Sequence, residues 1–178
     1  MNLITQRLTL RPVLVSDLNS IHELHSLPET DQYNTSGIPE NISVTENLLN
    51  TWLADQQITP RSSYVFCMEK AETNQFMGLV GLKIGKPHYH IAEIWYKTHK
   101  NFWGNNYTTE AVKSILEFAF TTLQLHRIEA GCAVENQASI RVLEKAGMTC
   151  EGRKRKILPI RGQWVDNYFF SILEEDFK

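Results

Sequence analysis

The chain has 178 residues, 42% of them hydrophobic and 21% charged, with a formal net charge of -2. That length supports a sizeable core without disulfides or metal, and the charge balance excludes any bulk attraction to nucleic acid or an anionic membrane surface. Three cysteines, Cys67, Cys132 and Cys150, are odd in number and far apart, which argues against a disulfide framework or a zinc knuckle and suits a reducing compartment.

The first residues lack the basic-then-apolar order of a signal peptide, and no run reaches membrane-spanning length. The expectation is one cytoplasmic domain over residues 1–178, with no membrane or nucleic-acid partner. An alternating segment at residues 5–13, with Leu8 and Leu10 on one face, predicts a first strand. Ser16-Asp17 opens a helix carrying Leu18, Ile21, Leu24 and His25, where His22 and His25 read as surface residues. Residues 28–41 are rich in Pro, Gly, Asn, Thr and Asp, hence a loop. A second helix runs from Ser43 or Thr45 to Gln57, with Leu48, Leu49, Trp52 and Leu53 on one face. Strands at residues 62–69, 76–84 and 89–96, separated by turn residues, form an antiparallel meander. His88-x-His90 reads as an ordinary strand face, and no metal is expected.

A third helix beyond Gly104 carries Ala111, Val112, Ile115, Leu116, Ala119, Phe120 and Leu123 as an apolar stripe. Residues 127–134 form a fifth strand, so strand, helix and strand make a crossover whose two strands are parallel. Asn136 precedes a fourth helix that ends at Gly147. Strands at residues 150–158 and 164–173 close the chain as a hairpin. The whole is a mixed α+β fold: about seven mostly antiparallel strands flanked by about four helices.

The most informative stretch lies between the fourth strand and the crossover helix: Asn101, Phe102, Trp103, Gly104, Asn105, Asn106, Tyr107 and Thr108. A strand, a permissive loop and a helix N-terminus make an anion site, because free backbone N–H groups and the helix dipole both favour negative charge there. Gly104 takes positive φ at no steric cost, and Asn tolerates the same region best. The pattern points to a phosphate or pyrophosphate held by main chain.

These segments resemble the GNAT superfamily of acetyl-CoA-dependent N-acetyltransferases, within it the RimJ/RimL-like branch. The resemblance rests on TQRLTLRP (5–12), AEIWY (92–96), FWGNNYTTEA (102–111), LHRIEA (125–130), NQASIRVLEKAGM (136–148), Glu151-Gly and GQWVD (162–166). It implies a GNAT fold in which the fourth and fifth strands splay apart and admit the pantetheine arm of acetyl-CoA. It also implies a pyrophosphate on residues 101–106, although only Gly104 matches the family's glycine pattern strictly. The fourth-strand amide that takes the acetyl carbonyl falls near Trp95 and Tyr96. Trp95 stands where the family uses Gly beside a bulge.

Asn136 is implied to hold the pantetheine, a role compatible with helix capping worth about 1 kcal/mol. Ser139 is implied as the acid that protonates the leaving thiolate, against the alternative of a hydroxyl bonding its own turn. Tyr107 is a phosphate contact or a packed aromatic. Lys145 either reaches the adenosine 3′-phosphate or is an exposed helix-end lysine. The base is unassigned: the family's glutamate aligns with Leu158, leaving Glu93 and Glu129 as the carboxylate candidates on the central strands. Implied substrates are acetyl-CoA and a primary amine, either a protein N-terminus or a small molecule such as a polyamine, amino sugar or antibiotic. A non-catalytic CoA-binding module is the rival from another class, and the chain is expected to be a monomer or homodimer.

Overall fold

The computed structural model describes residues 1–177. Eight strands form one sheet in the order β1-β2-β3-β4-β5-β6-β8-β7. They are β1 (Leu3–Ile4), β2 (Leu8–Pro12), β3 (Ser63–Lys70), β4 (Phe76–Ile84), β5 (Ile91–Thr98), β6 (Arg127–Ala133), β7 (Thr149–Ile160) and β8 (Gln163–Leu173). The α-helices are α1 (Leu18–Ser26), α2 (Pro28–Asp31), α3 (Ile42–Asp55), α4 (Tyr107–Thr121) and α5 (Gln137–Lys145). Among the described residues no helix is long and apolar enough to cross a membrane.

The mixed fold, the meander and the closing hairpin follow the sequence pattern, with differences of physical origin. The first predicted strand begins only at Leu8, and the two-residue β1 precedes it, because Thr5 turns the chain: its Oγ1 accepts from Leu8 N at 2.9 Å, and its own N–H donates to the Leu8 carbonyl. Within the predicted loop of residues 28–41, Pro28 at the first helical position and Glu29 and Asp31 in the first turn start the short α2. The fourth predicted strand slides by two residues. Pro87–Tyr89 forms a 3₁₀ turn and His90 adopts φ 51, so His88 and His90 leave the strand face altogether.

The sheet is covered on both faces, which fixes the register of its strands. On one face α4 lays Ala111, Val112, Ile115, Leu116, Phe118 and Ala119 against Leu10, Met68, Val80, Leu82 and Ile94. On the other, Ile21 and Leu24 of α1 and Leu49 of α3 cover Val65, Cys67 and Leu79. His22 and His25 belong to this second layer rather than to open surface. His22 Nδ1 lies 2.8 Å from Thr45 Oγ1 of α3. Burial pushes the His25 imidazole down to about 4, with Lys97 and His22 adding to the effect.

Only Ile91↔Arg127, Ala92↔Ile128 and Glu93↔Glu129 pair β5 with β6, and these pairs are parallel. Beyond them the strands diverge, each keeping its other neighbour. β5 stays paired with β4 up to Thr98↔Gly78, and β6 with β8 up to Ala133↔Asn167. The opening therefore falls between two intact halves of the sheet. No bulge accompanies Trp95, whose pairing with Gly81 lies in an unbroken register. The glycine sits on the neighbouring strand instead, where a Cβ on Gly81 would meet the Trp95 ring at 2.9 Å.

Candidate active site

A cavity of about 640 Å³ occupies the opening, walled by the end of β5, the head of α4, the start of α5 and the α2 segment. Its best-defined end is the turn into α4. Gly104 has φ 78 and Asn106 φ 61, both left-handed, as their residue types suggest. The main-chain N–H groups of Gly104 through Thr109 find no acceptor among the described residues. Those of Asn101, Phe102 and Trp103 are spent on His99 and Lys100, which narrows the expected donor set to the later part of the loop. A Cβ on Gly104 would meet nothing within 4 Å, so the turn faces open space.

The turn is held from three sides. The Trp103 indole donates to the Thr98 carbonyl at 2.7 Å, and Thr98 Oγ1 lies 2.8 Å from Thr108 Oγ1. Arg7 donates to the Asn105 carbonyl at 3.1 Å and stacks over Tyr107 at 4.4 Å. Glu110, in the first turn of α4, accepts from Thr5 Oγ1 at 2.6 Å, from Arg7 N at 2.9 Å and from the Arg7 guanidinium at 2.7 Å. This is the physical content of the N-terminal Thr-x-Arg motif: it pins the helix whose free amides face the cavity. Lys145 donates to Asn106 Oδ1 at 2.8 Å and lines the same end with Arg141, adding positive charge to the dipole.

At the middle of the opening, Asn136 caps α5 by accepting from Ser139 N at 3.1 Å. That cap places Ser139 Oγ 2.7 Å from the Tyr96 hydroxyl, bridging the gap between α5 and β5. Burial raises the Tyr96 phenol well above its ordinary range, so it remains a neutral donor. Burial also pushes the nearby Cys132 thiol up to about 11, which suits a packed strand residue rather than a nucleophile.

Tyr96, Phe102, Trp103, Gly104, Asn106, Tyr107, Thr108, Asn136, Ser139 and Lys145 thus line one cavity. Five other candidates do not. The side chain of Trp95 stacks on Trp52 of α3 at 5.9 Å, on the face away from Tyr96. Asn101 and Asn105 are exposed outside the cavity, and Asn105 Nδ2 donates to the Trp103 carbonyl at 2.9 Å. Glu93 and Glu129 are register partners on the last rung of the β5–β6 ladder. Glu93 is exposed there, and Glu129 accepts from Arg127 Nε at 2.8 Å. Neither carboxylate lines the opening, although both sit on the last paired rung before it. Leu158 is also outside, in the irregular part of the β7–β8 pairing.

The remaining wall was not legible residue by residue. Glu29, Thr30, Gln32, Tyr33 and Asn34, in and after α2, face the end of β5. Glu29 pairs with Lys100 at 2.6 Å. Lys97 lines this end, where burial lowers its amine to about 8 and Asp31 partly opposes that shift. Asp31 is itself buried: its Oδ2 lies 3.6 Å from Arg161 Nε, and its Oδ1 has no hydrogen-bond partner among the described residues.

A sheet split at its parallel pair, with free helix-head amides and a hydroxyl pair facing the split, defines an N-acetyltransferase. The chain belongs to the GNAT acetyltransferase family: the acetyltransferase (GNAT) domain model matches residues 7–149. It is 29% identical to the uncharacterized N-acetyltransferase p20 of Bacillus licheniformis, over 98% of this chain and 97% of that protein. The fold matches a GNAT-family acetyltransferase structure from Bacillus anthracis with a TM-score of 0.86 and 28% identity, covering 98% and 99% of the two chains. A Vibrio cholerae spermidine N-acetyltransferase solved with CoA and spermine matches with a TM-score of 0.86 and 26% identity, covering 97% of this chain and 99% of that one. The protein is therefore an acetyl-CoA-dependent enzyme acting on an amine.

Proposed function

We propose that this enzyme acetylates an α-amine, the N-terminus of a protein or peptide, by direct transfer with both substrates bound. One observation carries the reading: the Tyr96–Ser139 hydroxyl pair and the free amides of Gly104 and of Asn106 to Thr109 open into one cleft that holds no buried carboxylate base. The amides would accept the pyrophosphate of acetyl-CoA, with Lys145 and Arg141 beside them. Asn136 keeps its Nδ2 for the pantetheine while its Oδ1 caps α5. When bound, acetyl-CoA supplies a thioester whose carbon–sulfur bond breaks as the amine nitrogen bonds to the acetyl carbon. Ser139 gives its proton to the departing sulfur and is resupplied by Tyr96, which takes a proton back from water, while the proton lost by the amine passes to water.

The two carboxylates that line the cleft, Glu29 and Glu135, lie away from this pair, Glu29 tied to Lys100 and Glu135 exposed. Without a strong base, the cost of deprotonating the acceptor selects the substrate. At pH 7 an alkyl amine of pKa about 10.4 costs about 4.6 kcal/mol, whereas an α-amine near 7.7–8.0 costs about 1–1.4 kcal/mol. The free thiols of Cys67, Cys132 and Cys150 support action in a reducing compartment such as the cytoplasm.

Thiol release from acetyl-CoA, measured with peptide N-termini, internal lysines and spermidine side by side, tests the reading. Peptide α-amines are expected to be the faster acceptors; faster transfer to lysine or spermidine would refute it. The similarity to the Vibrio cholerae spermidine enzyme favours a second reading, a small polyamine acceptor, and the same comparison of rates decides between them.

A further inference from the structure

We infer that Lys97 forms an anion subsite at the acceptor end of the cleft, so that the preferred acceptor is an α-amine with a carboxylate a few bonds away. The inference rests on the reading of this cleft as the acetyl-transfer site. Lys97 follows Tyr96 on the free stretch of β5, and strand alternation turns its side chain to the opposite face, toward α1 and α2. It lines the cavity yet makes no ion pair within 4 Å among the described residues, and burial has stripped part of its hydration.

The carboxylates around Lys97 lie closer to other groups than to it. Glu29 of α2 is tied to Lys100 at 2.6 Å, and Glu23 of α1 approaches His99 at 3.8 Å. Asp31 of α2 lies toward Arg161 of the β7–β8 turn at 3.6 Å and reaches Lys97 only through its longer-range field. His25 of α1 is neutral at pH 7 because of its burial, and His22 behind it contacts Thr45. Lys97 is thus the cation in this wall without a carboxylate in direct contact among the described residues. The facing wall of Thr30, Gln32, Tyr33 and Asn34 is neutral and rich in hydrogen-bond donors. The pantetheine arm is uncharged and brings no anion to this end, so an anion that meets Lys97 directly in the cleft would come with the acceptor. A partly desolvated ammonium gains most from a carboxylate that shares its site. A polyamine would instead set a second cation against Lys97.

Two isosteric pairs of acceptors test this in the thiol-release assay on the intact enzyme. One pair is a tripeptide beginning with Glu against the same peptide beginning with Gln, both blocked at the C-terminus. The other is free glutamine against glutamine amide, so the two pairs separate a side-chain source of the carboxylate from the α-carboxylate. The acid member of at least one pair is expected to show kcat/KM about tenfold higher. Lys97→Met should bring that ratio near one, and Lys97→Arg should keep it, with CoA affinity by calorimetry reporting an intact cleft. If Lys97→Met fails to fold, the wild-type and Lys97→Arg ratios still decide. Ratios near one in both pairs for wild type, or a ratio unchanged in Lys97→Met, overturn the subsite while leaving α-amine acetylation intact. Faster transfer to spermidine than to any α-amine overturns both.

Discussion

Replacing Tyr96 with Phe removes one oxygen from the cleft and leaves every apolar contact of the ring in place. The oxygen lies 2.7 Å from Ser139 Oγ and 3.3 Å from the Ser139 carbonyl. As a structural loss this is small: one part-buried hydrogen bond contributes about 0.5–1.5 kcal/mol. For a chain of this size that lowers the melting temperature by about 1–6 °C. As a chemical loss it is larger if the hydroxyl pair delivers the proton to the departing thiolate, since a positioned acid contributes about 10²–10⁴-fold. Tyr96→Phe is therefore expected to lower kcat about 100-fold, equivalent to about 2.7 kcal/mol of barrier. CoA affinity, set at the other end of the cleft, should change by less than about threefold. Ser139→Ala should give a similar loss. Because the two groups act as one donor, the double variant should be little worse than either single one, where independent contributions would multiply to about 10⁴. Steady-state kinetics with acetyl-CoA and a fast acceptor, plus calorimetry with CoA, measure all of this. A Tyr96→Phe enzyme within threefold of wild-type kcat, or losses that multiply in the double variant, would refute the proton-relay role.

Gly104→Val puts a β-branched side chain at φ 78 and a Cβ into the open face of the amide turn. The left-handed backbone alone costs about 1–2 kcal/mol, so CoA should bind about tenfold more weakly or worse, and unchanged affinity by calorimetry would count against the turn as the phosphate site. Gly81→Ala brings a Cβ to 2.8 Å from the Tyr64 carbonyl and 2.9 Å from the Trp95 ring, neither able to retreat easily. A loss of about 1–3 kcal/mol in urea unfolding is expected. Asp17 accepts from Arg11 at 2.7 and 2.8 Å and from Leu14 N at 2.7 Å. Burial alone would raise its carboxyl, but Arg11, the Leu14 amide and the Cys67 thiol outweigh burial and hold it below the ordinary range. A lowered folded-state pKa stabilises above the unfolded value of about 3.9 and is lost as pH falls through the folded value. Urea midpoints should therefore hold from pH 7 to about pH 5 and fall below about pH 4. Asp17→Asn should cost about 3 kcal/mol at pH 7 and flatten that acid limb.

What could be read from the sequence was what periodicity and local backbone chemistry dictate. The stripe of α4, the alternation of β2 to β4, the Asn136 cap and the left-handed Gly104 and Asn106 are each decided within a few residues. The left-handed turn into α4 was legible for that reason. What escaped depends on groups far apart in the chain. Thr5 and Arg7 reach Glu110 more than 100 positions away, and no spacing rule connects them. The same holds for Tyr96 with Ser139, which sequence alone placed in one site without pairing their hydroxyls. Glu93 and Glu129 looked suitable because they sit on the central strands. That Glu93 turns to solvent and Glu129 is held by Arg127 follows from tertiary placement, which no local pattern gives.

The divergence of β5 and β6 explains why the opening persists. Beyond Glu93, β5 is bonded to β4 on one side and presents a bare edge on the other, and β6 does the same beyond Glu129. Bare edges inside a sheet carry N–H and C=O groups that must find partners. Closing the gap would pair them, but the two halves are held apart at its rim. On the β5 side, Trp103 and Thr108 grip Thr98 and draw the strand end toward α4. On the β6 side, the Asn136 cap starts α5 immediately after the strand. A slender ligand carrying amides can complete such an edge as an added strand would. The pantetheine arm has two amides and no charge. The edge can thus bind the arm of acetyl-CoA while the α4 amides bind its phosphates, leaving selection of the amine to Lys97 and the α2 wall. On this division of labour, substitutions in the α2 wall should alter acceptor preference without altering CoA affinity, and substitutions at the α4 turn should do the reverse.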